Sequence, residues 1–112
     1  MPRFVVLRHE IEDKTHFDLM IENEGVLMTF SFPEFPGAGM SGERIADHRM
    51  KYLDFQGSLS ENRGRVKRED AGTFDLLTAQ DECIHVHARG ERLTGGLRLV
   101  KKSGDTWALE PE

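Results

Sequence analysis

Three things are scarce in this 112-residue chain: it has one cysteine, no long uninterrupted apolar run and almost no stretch with helical periodicity. A lone Cys83 cannot close an internal disulfide, and in an intracellular protein such a residue is ordinarily a small buried hydrophobe, so no chemistry is assigned to it. No segment approaches the ~18 consecutive apolar residues of a membrane-spanning helix. The opening run Met1–His9 has neither the apolar centre nor the small-residue cleavage site of a secretory signal. A soluble cytoplasmic protein with no membrane partner is therefore expected. Positive charge is in short supply too. A formal net charge of −5 argues against a protein that coats nucleic acid through a general basic surface.

With 38% apolar and 31% charged residues, the length suits one domain, residues 1–112, around a single modest core. Phe4–Leu7 is a short apolar, β-branched run, and His16–Glu22 alternates with period two. In the second run Phe17, Leu19 and Ile21 are expected to face the core, so that His16, Asp18, Met20 and Glu22 share the other face. Glu24-Gly25 is a turn before a return strand at Val26–Phe32, and Pro33–Gly39 begins a loop. Residues 41–50 suggest a helical turn or an irregular excursion. Strands are expected again at Arg65–Arg68, Gly72–Leu77, Glu82–Arg89, Leu93–Val100 and Thr106–Leu109, with Glu110-Pro111-Glu112 as a frayed tail. Seven or eight short strands with little helix imply an all-β protein, an antiparallel barrel or sandwich.

Chemistry-bearing residues crowd near the amino end, in Arg8-His9 and His16-Phe17-Asp18. Histidine is the commonest metal ligand, and a carboxylate completes a mixed N/O set that leaves positions open for water and substrate. His16 and Asp18 lie about 6–7 Å apart along a strand, close enough to converge on one ion. Structural, hydrogen-bonded histidines are the alternative. Charge is also uneven: residues 8–24 are acidic, whereas residues 44–68 carry Arg44, Arg49, Lys51, Arg63, Arg65, Lys67 and Arg68. These are either two halves of a phosphate-ester site or solvated strand faces of opposite sign. His85 and His87 share one strand face, and two polar residues on a wet face explain them without a second metal.

Several blocks in one order carry a resemblance from Phe4 to Leu109. Phe4-Val5-Val6-x-Arg8-His9 is similar to a Phe-Val-hydrophobic-Gln-Lys-His block, and His16-Phe17-Asp18-Leu19-Met20-Ile21-Glu22 to His-Tyr-Asp-Phe-Arg-Leu-Glu. Gly25-Val26-Leu27-x-x-Phe30 followed by Pro33 matches a later strand. Asp47-His48-x-x-x-Tyr52-x-Asp54-Phe55-x-Gly57 is the most specific block. Gly64-x-Val66, Asp70-x-Gly72-Thr73-Phe74, Leu93-x-Gly95 and Trp107-x-Leu109 complete the series. The chain thus resembles the 3′-phosphoesterase domain of bacterial DNA ligase D and its small stand-alone relatives.

That resemblance implies a compact β-barrel whose cavity binds Mn²⁺ and which removes a 3′-terminal phosphate or ribonucleotide from DNA primer ends in repair. It matches His9, His16 and Asp18 to metal ligands, His48 to the histidine on the scissile phosphate, Tyr52 to a tyrosine beside the site and Arg44 to an arginine of the phosphate pocket. Zn²⁺ or Fe²⁺ also suits the ligand set. The implied partners are DNA or RNA/DNA 3′ ends and separate repair ligase or polymerase proteins, with the chain itself a monomer. The chain departs from the pattern where Met20 replaces an arginine and Leu7 a glutamine. The two ligand histidines are one residue farther apart, and a polar arm ahead of the barrel has no counterpart. Losing a phosphate-clamping arginine costs transition-state stabilisation, and Arg49, Arg63 or Arg65 are expected to replace it. Three functions remain open: an active phosphoesterase, a catalytically weak or inactive module that binds nucleic-acid 3′ ends, and a structural barrel within a protein complex.

Overall fold

The computed structural model describes residues 1–112 as nine strands and one 3₁₀ turn. In chain order these are β1 Arg3–Ile11, β2 Lys14–Asn23, β3 Val26–Phe32, β4 Ser41–His48, the turn Met50–Leu53, β5 Gly57–Ser58, β6 Arg65–Gln80, β7 Cys83–Arg89, β8 Thr94–Ser103 and β9 Thr106–Pro111. Every pairing is antiparallel, and β1 pairs with both β2 and β6. The order β1-β2-β3-β4-β9-β8-β7-β6 therefore closes into a barrel-like ring of eight strands, with β5 added to β6. Closure satisfies the backbone groups that short strands would otherwise leave at an edge. No helix is long and apolar enough to cross a membrane.

The all-β, antiparallel expectation holds, with four local corrections. Residues 41–48 form a strand, held by β3 on one side and by β9 along Ser41–Glu43 on the other, and the helical turn comes after it. The two segments expected at 65–68 and 72–77 are one 16-residue strand, β6, accommodated on β1 by a register shift between Val6 and Leu7. Leu93 closes a turn instead of opening a strand. Asp70, 5% exposed, takes the N–H groups of Glu91, Arg92 and Leu93 at 2.7–3.1 Å, as well as that of Ala71. The tail is not frayed: β9 pairs as far as Pro111, and Glu112 meets His85 Nε2 at 3.1 Å.

Two apolar clusters replace the single core expected. Alternation along the strands sends Phe4, Val6, Leu19, Ile21, Phe30, Phe74, Leu99 and Leu109 inward, within a cluster of 15 buried residues that fills the ring. The opposite face of β1, β2, β3 and β6 is also apolar. Val5, Leu7, Met20, Leu27 and Val66 pack there beneath Leu53, flanked by Met50, Tyr52, Phe55 and Leu59. Residues 49–64 thus form a roof over the outside of the ring. Arg3 on β1 fastens it at Asp54 (2.7 Å), and Gly64, at φ 86°, lets it return where a Cβ would run into the Glu10 carbonyl. The far end of β6, beyond Thr73, projects past β1 with β7 as its neighbour, and Leu76 and Leu77 are exposed there.

Candidate metal centre

β1 and β2 are joined by the two-residue turn Glu12-Asp13, with Glu12 at φ 55°, and the resulting register sets His9 directly opposite His16. Asp18 follows two residues on, on the same face of β2. One ring nitrogen from each histidine and one Asp18 carboxylate oxygen lie within 4.8 Å of one another. The imidazoles meet edge to face with centroids 4.6 Å apart. Two ligand bonds of about 2.1 Å nearly span that spread, and an N, N, O donor set suits a divalent ion, so these residues fit a metal.

The three groups are oriented by neighbours. His9 Nε2 lies 2.7 Å from the Arg63 carbonyl, which only accepts; Nε2 therefore carries the proton and Nδ1 the free lone pair. His16 Nδ1 lies 2.9 Å from Asp18 Oδ1 and 3.1 Å from Ser31 Oγ. The hydrogen bond to Asp18, reinforced by its charge, raises the His16 pKa above its ordinary value, against an opposing effect of burial. Asp18 itself is 3% exposed.

The centre lies on the outer wall of the ring and not in its interior, a correction to the barrel-cavity expectation. The face of β2 that carries His16, Asp18 and Met20 is not the wet one either. Met20 is 2% exposed because the roof covers it. Between wall and roof is a cavity of about 210 Å³ whose lining includes His9, Asp18, Met20, His48, Tyr52 and Arg63. His48 donates Nδ1–H to the Ala46 carbonyl at 2.8 Å, leaving Nε2 free, and its ring meets that of Tyr52 edge to face at 5.6 Å. Segment 44–68, basic in sequence, thereby reaches the acidic β1–β2 hairpin.

Arg44 is not brought to this cavity. Four residues apart on a regular strand, Arg44 and His48 would share a face, but an extra residue in β4 between the Thr29 and Leu27 levels reverses the alternation. Arg44 therefore lies opposite Phe30, with its guanidinium 5.5 Å from the ring centroids of both Phe30 and Trp107. Among the other arginines, Arg63 lines the cavity while donating to the Ser60 carbonyl and hydroxyl at 3.0 Å. Arg65 faces Glu10 at 3.7 Å, and Arg49 is exposed. Glu22 accepts the Arg3 N–H and plays no part in orienting a histidine. His85 and His87 lie away from the centre on β7, with Ile84, Val86 and Ala88 buried on the other face. Ser31 went unforeseen. The two-residue turn at Glu24-Gly25 signals it, because that register sets Ser31 opposite Asp18.

A closed antiparallel ring with a two-histidine, one-carboxylate donor set on its outer wall defines a barrel-like protein with a candidate metal-binding trio. The chain belongs to the DNA Ligase D 3′-phosphoesterase domain family, whose model matches residues 8–101. It is 28% identical over 115 residues to the multifunctional non-homologous end joining protein LigD of Mycobacterium bovis, covering 93% of this chain and 15% of the relative. The same figures describe its match to the multifunctional non-homologous end joining DNA repair protein LigD of Mycobacterium tuberculosis. LigD of Pseudomonas aeruginosa is 28% identical over 88% of this chain and 13% of its own length. The chain thus spans only 13–15% of the length of these relatives.

Proposed function

We propose that the chain is a Mn²⁺-dependent phosphoesterase that hydrolyses a 3′-terminal phosphate or ribonucleotide at DNA ends during repair. One observation carries this reading: ligand atoms of His9, His16 and Asp18 converge within 4.8 Å beside a cavity that His48 also lines. Family membership supports phosphoester chemistry, and the relatives' names, which speak of end joining and DNA repair, support DNA ends as the substrate. His9, His16 and Asp18 would hold a divalent ion, which would supply charge withdrawal from the phosphate and a more acidic water. His48, with Nδ1 committed to Ala46, presents Nε2 to a phosphate oxygen and in its protonated form donates to it. Met20, Leu59 and Val66 give the cavity apolar walls, which strengthen every charge interaction inside it.

A second reading, a module that binds 3′ ends without turnover, is favoured by Met20 and Arg63. Met20 offers no hydrogen to phosphate, and the one guanidinium lining the cavity, that of Arg63, is already engaged by Ser60. Incubation with Mn²⁺ and a labelled primer ending in a 3′-phosphate or 3′-ribonucleotide separates the two. The phosphoesterase gives a metal-dependent product that His9→Ala lowers at least about 100-fold, in parallel with weakened Mn²⁺ binding by calorimetry. Primer binding without product selects the module, and neither product nor binding overturns both readings.

A further inference from the structure

A second concavity begins at His16 and runs away from the roofed cavity, across β3 and β4 to Thr106 on β9. Its volume is about 380 Å³, within the range of small-molecule sites. Its register explains its lining. Ser31 pairs with Glu43, Glu43 with Thr106 and Ser41 with Ala108, so Ser31, Ser41, Glu43 and Thr106 share the outer face with Asp18. Pro33 and Ile45 supply apolar surface, and neither lysine nor arginine lines the groove. Glu43 is exposed and has neither an ion pair nor a side-chain hydrogen bond. A free carboxylate among three hydroxyls repels phosphate and accepts hydrogen bonds from neutral donors.

We propose that this groove reads the sugar of a terminal ribonucleoside, with Glu43 accepting from the 2′ and 3′ hydroxyls and the base lying against Pro33 and Ile45. The inference rests on the phosphoesterase reading for the strand's place at His9, His16 and Asp18, and adds the residue that distinguishes a ribose end from a deoxyribose end. A vicinal diol offers two donors to one carboxylate, the same pairing by which an acidic side chain holds ribose in dinucleotide sites. A phosphate in that position meets the Glu43 charge with no lysine or arginine to offset it. Cationic side chains lie on the other flank, at Arg63, Arg65 and Lys67, where the polyanionic strand is directed.

Amide NMR titration of the whole chain tests the assignment without depending on turnover. Uridine is expected to shift the signals of Ser31, Ser41, Glu43 and Thr106. Its affinity should fall about tenfold in Glu43→Gln, and 2′,3′-dideoxyuridine should bind the unaltered chain about tenfold more weakly than uridine does. Equal binding of the two nucleosides, an unchanged affinity in Glu43→Gln, or inorganic phosphate moving the same amides overturns the proposal. Primer assays with Mn²⁺ then separate this inference from the reading beneath it. Equal cleavage of ribose and dideoxyribose ends overturns the groove assignment alone. Uridine binding in the groove with no cleavage of any end supports the groove and overturns the enzymatic reading.

Discussion

His16 has two polar neighbours on one ring nitrogen, and this fixes how the centre responds to pH. Asp18 raises the His16 pKa, so the folded chain holds that proton more tightly than the unfolded chain, whose value is near 6.5. The stabilisation is fully present below the unfolded value and is lost as pH rises through the folded one. Metal-free protein is therefore expected to melt further above Asp18→Asn at pH 5.5 than at pH 8; a constant difference in thermal melts contradicts this. Ion binding has the opposite sign, because the proton must leave His16, so affinity measured by calorimetry rises over the same interval. The trio itself was legible from two signals, residue type and the register of a two-residue turn. Arg44 was not legible, because a single extra residue in β4 reverses its face and nothing in the local sequence announces it. Met20 was misread for a different reason. Alternation identifies one buried face, and only a segment distant in sequence reveals that the other is buried too.

The roof and the Asp70 turn are the elements on which the centre and the ring depend. The roof has no signature in the sequence because its anchors, Leu53, Tyr52, Phe55 and Leu59, have no period; their partners are on strands elsewhere in the chain. Leu53 is 3% exposed, and its replacement by alanine is expected to cost about 3 kcal/mol. Because this cluster sits outside the ring, the loss should be local. Hydrogen exchange in Leu53→Ala is expected to quicken over residues 49–64 while amides of β7 and β8 keep their protection, and uniform quickening rules out a separable roof. His9 shares in that loosening, since its Nε2–H ends on the Arg63 carbonyl. Asp70 is the counterpart on the other side of the ring. Removing its carboxylate strands the N–H groups of Glu91, Arg92 and Leu93, and Asp70→Ala is expected to cost about 3 kcal/mol in urea denaturation, with Asp70→Asn retaining part of that. The Asp70-x-Gly72 block visible in the sequence thus marks a turn anchor. A Cβ at Gly72 would collide with the Arg89 carbonyl, so only glycine lets the strand pass so close there.

At the scale of the molecule, one wall serves two cores, and β1, β2, β3 and β6 are apolar on both faces where they cross it. The all-β, antiparallel character followed from the turn signals, whereas the number of strands, nine where seven or eight are expected, and the pair of strands that closes the ring did not. Closure rests on β1 meeting β6 some 60 residues later, a pairing that neither strand declares locally. Closure is also unequal along its length. The register between β1 and β6 stops at Thr73, leaving the main-chain amides and carbonyls of Asp75–Gln80 without a neighbour on that side, next to exposed Leu76 and Leu77. Such a ledge is a template for a foreign strand, and the bulge between Leu76 and Thr78 keeps it short and twisted. The consequence is colloidal: concentrated solutions are expected to self-associate first at this corner. Leu77→Lys is expected to raise the concentration at which light scattering sets in, while leaving the melting temperature where it was.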